Sequence, residues 1–347
     1  MKERLHGIDI LRGIAIIMVF LFHCFEAAYN RDSLPWLGNW PDWQAFPDQS
    51  FHFLYFLRLG TSGVALFFVL SGFCIHYSSL SKEKNRLTQS TAEFYWHRFF
   101  RIYPPYFTAL FVFLLFNPVA GRLNAFAHVS FTHNLFTNSD IFYGINPSFW
   151  SLPVEFQLYL IYPLFLIACR KSGARSALFM TFVLTMIFLF VVPSTDPLDL
   201  KRLPFYYWFY WAIGAYIAEI WFSTGRPAFR WHAGLIGVLA VLWIVVNYYR
   251  PLSAYYWMIG ALLSAVVVDR ILLFPPPKHS RLLKALSAIG LVSYSMYLWH
   301  QPLLPRIFTL CQTLLGINRT PAALYWTLHA DCLRSDTYHI DLFLSMA

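Results

Sequence analysis

The 347 residues are 58% hydrophobic and 20% aromatic but only 12% charged, with a mean hydropathy of +0.50. A soluble domain carries about 25% charged residues, so the composition excludes a soluble globular chain and leaves no stretch polar enough for a separate soluble domain. The formal charge of +9 would suggest nucleic acid in a soluble protein; here it follows membrane topology, and no nucleic-acid partner is expected.

A spanning helix needs about 20 largely apolar residues. Nine such spans are predicted: 8–28, 58–79, 102–120, 149–169, 176–193, 205–222, 233–249, 255–274 and 287–310. The expected fold is all-α, a polytopic transmembrane helix bundle of about 9–10 helices, with membrane lipids as its first partner. Loop charge sets the orientation. With the N-terminus cytoplasmic, the inner segments hold Lys2, Arg4, Lys82, Lys84, Arg86, Arg98, Arg101, Arg170, Lys171, Arg175, Arg226, Arg230, Lys278, Arg281 and Lys284. The outer loops hold only Arg31, Arg122, Lys201, Arg202, Arg250 and Arg319.

The first span is expected to be a membrane helix and not a cleaved leader, because Arg12 interrupts it early and it continues to Ala28 without a convincing small-x-small site. Arg12 and His23 are eleven residues apart, within about 20° of three full turns, so they share one stripe about 16 Å long. The planar fork of Arg12 suits phosphate, and His23 suits removal of a hydroxyl proton. A donor with phosphates at one end and a reactive carbonyl on a flexible arm matches that spacing. The blander alternative has Arg12 snorkelling to the interface and His23 packing against another helix. Glu26 reads as an interfacial residue in water. The outer loops 29–57 and 121–148 are rich in Trp, Phe, Asn, Asp and Pro, and form either interfacial helices or a lid over an outward cavity.

On the second span, Gly60, Gly63 and Ser71-Gly72-Phe73 permit close helix approach, and His76 reads as a satisfied polar residue. Arg98 and Arg101 lie on one face at the cytoplasmic mouth, as a phosphate clamp complementing Arg12 or as ordinary inner-side charge. In Trp150-Ser151-Leu152-Pro153-Val154-Glu155 the carboxylate sits at a depth similar to that of His23. There it would fix the imidazole tautomer, or else bond a neighbouring helix. The ninth span carries Ser293-Tyr294-Ser295-Met296-Tyr297-Leu298-Trp299-His300, suited to interhelical hydrogen bonds, with His300 also a candidate lining of an acceptor cavity. Residues 1–320 read as a single transmembrane domain. Residues 321–347 read as an atypical tail, a degenerate or truncated last helix interrupted by His329, Asp331, Arg334, Asp336 and Asp341. The five scattered cysteines suggest neither disulfide framework nor metal site. No GxSxG, HExxH, Walker loop or GxGxxG is present.

Five pieces in one order resemble the acyltransferase 3 family, membrane proteins that O-acylate bacterial surface glycans, exopolysaccharides and some small molecules. They are Leu11-Arg12-Gly13 through His23, Leu66 to Phe73 with its Ser71-Gly72-Phe73, Arg98-x-x-Arg101-Ile102-x-Pro104, Trp150-Ser151-Leu152-x-x-Glu155, and Tyr294-Ser295-x-Tyr297-Leu298-x-His300-x-Pro302. The resemblance covers roughly residues 5–310 and implies His23 as the catalytic histidine with an essential Glu155. It also implies Arg12 as a donor-binding residue and a donor-binding or structural role for Arg98 and Arg101; Trp150, Ser151, Tyr297 and His300 are, apart from the resemblance, candidate lining of an acceptor cavity. The implied co-substrate is acyl-CoA, usually acetyl-CoA, with no permanently bound cofactor and no metal. The implied acceptor is a cell-surface glycan or lipid-linked saccharide, and the implied place is the bacterial inner membrane. Such proteins usually end in a further apolar helix, which the tail does not resemble. Residues 1–347 are not expected to include a hydrolase-like outer domain, so a second transfer step is not expected of them. A proton-coupled transporter, with His23, Glu155 and His300 as a relay, is the rival reading; it predicts internal repeats, and none is evident.

Overall fold

The computed structural model describes residues 5–28, 36–37, 40–41, 55–84, 90–116, 121–191, 200–229, 233–277 and 279–315. The tail 321–347 and most of loop 29–57 lie outside the described residues. The helices are α1 (His6–Ala28), α2 (Ser62–Lys84), α3 (Thr91–Phe116), α4 (Arg122–Val129), α5 (Ser139–Phe142), α6 (Ser151–Ser172), α7 (Ala174–Phe190), α8 (Pro204–Thr224), α9 (Ala233–Tyr248), α10 (Tyr256–Leu273) and α11 (Arg281–Leu315). A two-residue antiparallel pair, Trp36–Leu37 with Trp40–Pro41, is the one extended feature among the described residues.

Each predicted span coincides with a helix, and six of these are long and apolar enough to cross a membrane: α1, α2, α3, α6, α10 and α11. The chain is therefore an all-α polytopic membrane protein. Helices α7 and α9 are apolar but shorter. Helix α8 has the length but is rich in Tyr and Trp, and it is buried along most of its course. Surrounded by α2, α7 and α10, it meets protein rather than lipid and so tolerates hydroxyl and indole groups. Helix α3 starts well before the predicted residue 102, because Ser90 caps it: its Oγ accepts from Glu93 N at 3.1 Å and its carbonyl from Phe94 N at 3.0 Å. The charges of these first turns conceal them from a hydropathy reading. Pro104 and Pro105 lie inside α3 without ending it, as packed membrane helices allow.

Two glycine contacts fix the centre of the bundle. An added Cβ on Gly13 would lie 2.1 Å from Leu286 O, and one on Gly290 would lie 1.8 Å from Asp9 O. Helices α1 and α11 thus touch backbone to backbone. Gly72 and Gly214 do the same for α2 and α8, at 1.9 Å from Trp211 O and 1.9 Å from Val69 O. Lipid supplies little hydrophobic drive between helices, so close backbone packing has to supply the attraction.

The described part of the second outer loop folds back along α3. Tyr103 and Tyr106 hydroxyls donate to the carbonyls of Val129 and His128, both at 2.9 Å. Here His128 and His133 stack with ring centroids 4.0 Å apart and planes 2° from parallel, both fully buried. His128 Nδ1 donates to Asn124 O at 3.0 Å and His133 Nε2 to Phe149 O at 3.2 Å. Burial lowers the His128 pKa from 6.5 to about 4. Burial, then the neighbouring His128, lowers that of His133 to about 3. Both are neutral in the folded protein and hold Phe149, and with it the start of α6.

Two predictions follow from this packing. Replacing Gly290 by alanine is expected to cost about 3 kcal/mol in denaturant or thermal unfolding in detergent. Gly234→Ala, with open space around it, should be neutral or gain up to about 1 kcal/mol of helix propensity; equal effects of the two would contradict the close contact. For the histidine pair, the unfolded chain binds protons below pH 6.5 while the folded one stays neutral. Stability therefore falls as pH drops from 6.5 towards 4, by about 1.4 kcal/mol per unit and per histidine. Unfolding of the His128→Gln/His133→Gln variant should show a shallower slope between pH 7 and 5, and an unchanged slope would refute the neutral pair.

Candidate active site

A cavity of about 600 Å³ is enclosed by α1, α2, α3, α6 and α11. Arg12, Arg98 and Arg101 line it together with Leu5 and Ser81, at the end where α1 starts and α2 finishes. Ser151 and Tyr297 line it near the start of α6. Arg12 Nη1 stands 3.4 Å from Asp9 Oδ1, and Nη2 donates to Cys74 Sγ at 3.1 Å. The Arg98 guanidinium lies 5.5 Å from the centroid of the Phe94 ring. Its buried Nε has no hydrogen-bond partner among the described residues, and there neither Arg98 nor Arg101 meets a carboxylate. The wall thus presents three guanidiniums against two carboxylates, Asp9 and Glu155. An unpartnered buried N–H of an arginine is costly, and an anionic group in the cavity would satisfy it.

Midway along the wall, Glu155 Oε1 accepts from Ser71 Oγ at 2.7 Å and from the Tyr159 hydroxyl. The Ser71 and Tyr159 hydroxyls are 2.9 Å apart. Tyr294 OH donates to Ile102 O at 2.9 Å, and Ser151 Oγ and Tyr297 OH are 2.8 Å apart. The sequence segments singled out above therefore touch one another in pairs: second span with fourth, third with ninth, fourth with ninth, first with second.

The first and ninth spans meet at the histidines. His300 Nε2 lies 3.0 Å from His23 Nδ1, with ring centroids 4.9 Å apart. His23 Nδ1 is also 2.9 Å from Val19 O, and His300 Nδ1 is 2.9 Å from Tyr297 O. The Glu26 carboxylate stands 3.8 Å from His23 Nε2. A common register explains the meeting: His23 is ten residues beyond Gly13, and His300 is ten beyond Gly290. The Tyr297 ring connects this pair with the cavity, its hydroxyl on the wall and its centroid 5.6 Å from that of His300.

The expected pairing of Glu155 with His23 is not what the structure brings together. Glu155 faces Ser71 and Tyr159 on the arginine cavity, and the side chain against His23 Nδ1 is His300. Nor is Trp150 on the cavity wall; it packs on Tyr207 and Trp257, with centroids 5.7 and 5.6 Å away. Ser151 and Tyr297 do share the wall with the arginines, whereas His300 is buried behind it against His23 and Ser148.

His76, read from the sequence as a satisfied polar residue, has its partners, whereas Asp9, Glu219 and Asp269 were passed over. His76 is buried, with Nε2 2.6 Å from Glu219 Oε2 and Nδ1 3.0 Å from Tyr162 OH. Asp269, fully buried, accepts from Ala228 N at 2.9 Å and Phe229 N at 3.0 Å, closing the turn after α8. Asp9 and Cys74 frame Arg12. An ionisable residue inside an apolar run is the signal that finds Glu219, Asp269 and Asp9. Cys74 carries no such signal.

A family model described as an acyltransferase domain matches residues 5–328. The chain is 28% identical to the peptidoglycan O-acetyltransferase OatA of Listeria monocytogenes, over 87% of this chain and 50% of that protein. It is 24% identical to the acyltransferase MdmB of Streptomyces mycarofaciens, over 71% of this chain and 59% of the other. It is 26% identical to the putative peptidoglycan O-acetyltransferase YrhL of Bacillus subtilis, over 86% of this chain and 48% of the other. The chain thus spans about half the length of the curated relatives it matches. No solved structure matches it.

Proposed function

The chain belongs to this acyltransferase family, and from that premise we propose that it is a membrane O-acetyltransferase moving an acyl group from acyl-CoA to a hydroxyl of a cell-surface glycan. The observation that carries this reading is one cavity with the guanidiniums of Arg12, Arg98 and Arg101 at one end, the last two meeting no carboxylate among the described residues, and a hydrogen-bonded histidine pair beyond the other. In this reading the N-terminus is cytoplasmic, the membrane is the bacterial inner membrane, and acetyl-CoA enters from the cytoplasm. Its phosphates dock on Arg12, Arg98 and Arg101, and its arm runs past Glu155 towards Tyr297. Two of the relatives are named for peptidoglycan, which supports including peptidoglycan beside exopolysaccharide and lipid-linked saccharides as a candidate acceptor.

His23 Nε2 takes the acceptor's hydroxyl proton as the new oxygen–carbon bond forms. The tetrahedral oxyanion collapses, the carbon–sulfur bond breaks, and the imidazolium returns the proton to the thiolate. General-base help of this kind is worth about 10²–10⁴ in rate, and holding both substrates in one cavity adds to it.

Thioester turnover is the test. Purified protein in detergent with acetyl-CoA should release free thiol. His23→Ala should lower the rate by about 10²–10⁴ with donor affinity kept, while Arg12→Ala and Arg98→Ala should weaken donor binding first. An acyl adduct trapped on His23 by mass spectrometry would replace direct transfer with a two-step route. Proton-coupled uptake with no thiol release would replace the acyltransferase with a transporter.

A further inference from the structure

The histidine pair has a defined direction. Carbonyl oxygens only accept, so the 2.9 Å contact of His300 Nδ1 with Tyr297 O puts a proton on His300 Nδ1. Neutral His300 then carries its lone pair on Nε2. By the same rule, the contact with Val19 O puts a proton on His23 Nδ1, and that N–H also points at His300 Nε2, 3.0 Å away. The Ser148 hydroxyl, 3.5 Å from His300 Nε2, spends its proton on Gln301 Oε1. Hydrogen bonding therefore runs one way, from His23 through His300 to the backbone of α11, and leaves the lone pair of neutral His23 on Nε2.

We infer that His300 is a positioning residue for the transfer reaction: a neutral hydrogen-bond acceptor that orients the His23 ring and fixes Nε2 as its basic atom. This inference rests on the reading of His23 as the proton acceptor. His300 is held for the task. Tyr297 O accepts a hydrogen bond from its Nδ1–H, the residue is 6% exposed, and the Gly13–Gly290 contact sets its height opposite His23. When Nε2 gains the hydroxyl proton, the imidazolium keeps the same Nδ1–H bond, so no ring rotation accompanies proton transfer in either direction.

The test combines a spectroscopic and a kinetic arm. In protein labelled with ¹⁵N-histidine, a nitrogen–nitrogen coupling across the hydrogen bond is expected between His23 and His300, and should vanish in His300→Gln. Its absence from the wild-type protein overturns the inference without any need for turnover. In the kinetic arm, thiol release is followed with acetyl-CoA and a soluble N-acetylglucosamine oligosaccharide as the probe acceptor. His300→Ala should lower kcat on the order of 10²-fold, less than the 10⁴ lost when a charged partner is replaced, with KM for acetyl-CoA within about 2-fold. His300→Gln and His300→Asn, which offer an acceptor oxygen, should recover part of that loss. His300→Ala should add nothing in a His23→Ala background, because the residue acts through His23. If His23→Ala is inactive while His300→Ala keeps its kcat, the inference falls and the function stands. If His23→Ala turns over as fast as the wild type, the function reading itself falls and the inference goes with it.

Discussion

The contact of Gly13 with Gly290 is the constraint from which the site takes its shape. Two parallel helices can touch backbone to backbone only where neither carries a Cβ, and here the carbonyls of Asp9 and Leu286 occupy the space a methyl group would need. Such a contact fixes both the distance between α1 and α11 and their relative height. Arg12, one residue before the contact, and Tyr294, four residues after it on the other helix, both line the cavity. Ten residues above it on both helices the two imidazoles meet. Sliding either helix by one residue would move its side chains by about 1.5 Å and 100°, enough to break a 3.0 Å bond between rings. The glycine pair thus acts as the register mark for groups that lie two to three turns away.

Around this frame several charged groups of the described spans have partners close by. A charge at bilayer depth costs several kcal/mol, and the structure offsets that cost locally. Arg12 has Asp9 and the Cys74 thiol, Glu155 has two hydroxyls, His76 has Glu219 and Tyr162, and Asp269 has two backbone N–H groups. Hydrogen bonds to charged groups contribute about 1.5–3 kcal/mol each, the right scale to hold such groups in place. Arg98 and Arg101 differ, since no carboxylate meets them among the described residues. The cavity is therefore cationic near its mouth and hydroxyl-lined further in, as an anionic donor with an uncharged arm would require.

Much of this was legible in the sequence, through rules that act along one helix. Hydropathy finds nine of the eleven helices among the described residues because each of the nine must meet lipid or a packed core over its length. It places the start of α3 late because the first turns sit where charges are welcome and only the Ser90 cap marks the beginning. Helical periodicity puts Arg12 and His23 on one stripe, and the structure keeps both facing inward. Which partner His23 meets was not legible. Depth pointed to Glu155, whereas the meeting with His300 depends on which helix face is turned towards α1. That choice is made by Gly13 and Gly290, whose pairing leaves no trace in the periodicity of either helix alone. The stacked pair of His128 and His133 was hidden for a related reason, since a loop that folds back along α3 buries polar residues that its sequence gives no cause to bury.

The use of a neutral partner for His23 has a physical logic in a bilayer. With an effective dielectric near 20, a carboxylate about 4 Å from an imidazolium stabilises it by about 4 kcal/mol, while repelling an oxyanion about 8 Å away by about 2 kcal/mol. The net advantage is about 2 kcal/mol. Against it stands the cost of keeping a carboxylate buried beside a neutral ring throughout the rest of the cycle, several kcal/mol at this depth. In water-accessible active sites the balance favours the carboxylate. On the Nδ1 side of His23 it tips towards a second imidazole, which supplies orientation without adding a charge to that of Glu26, already 3.8 Å from Nε2. Glu155 is then available where its charge is least costly, on the wall of the cavity that also holds Arg12, Arg98 and Arg101.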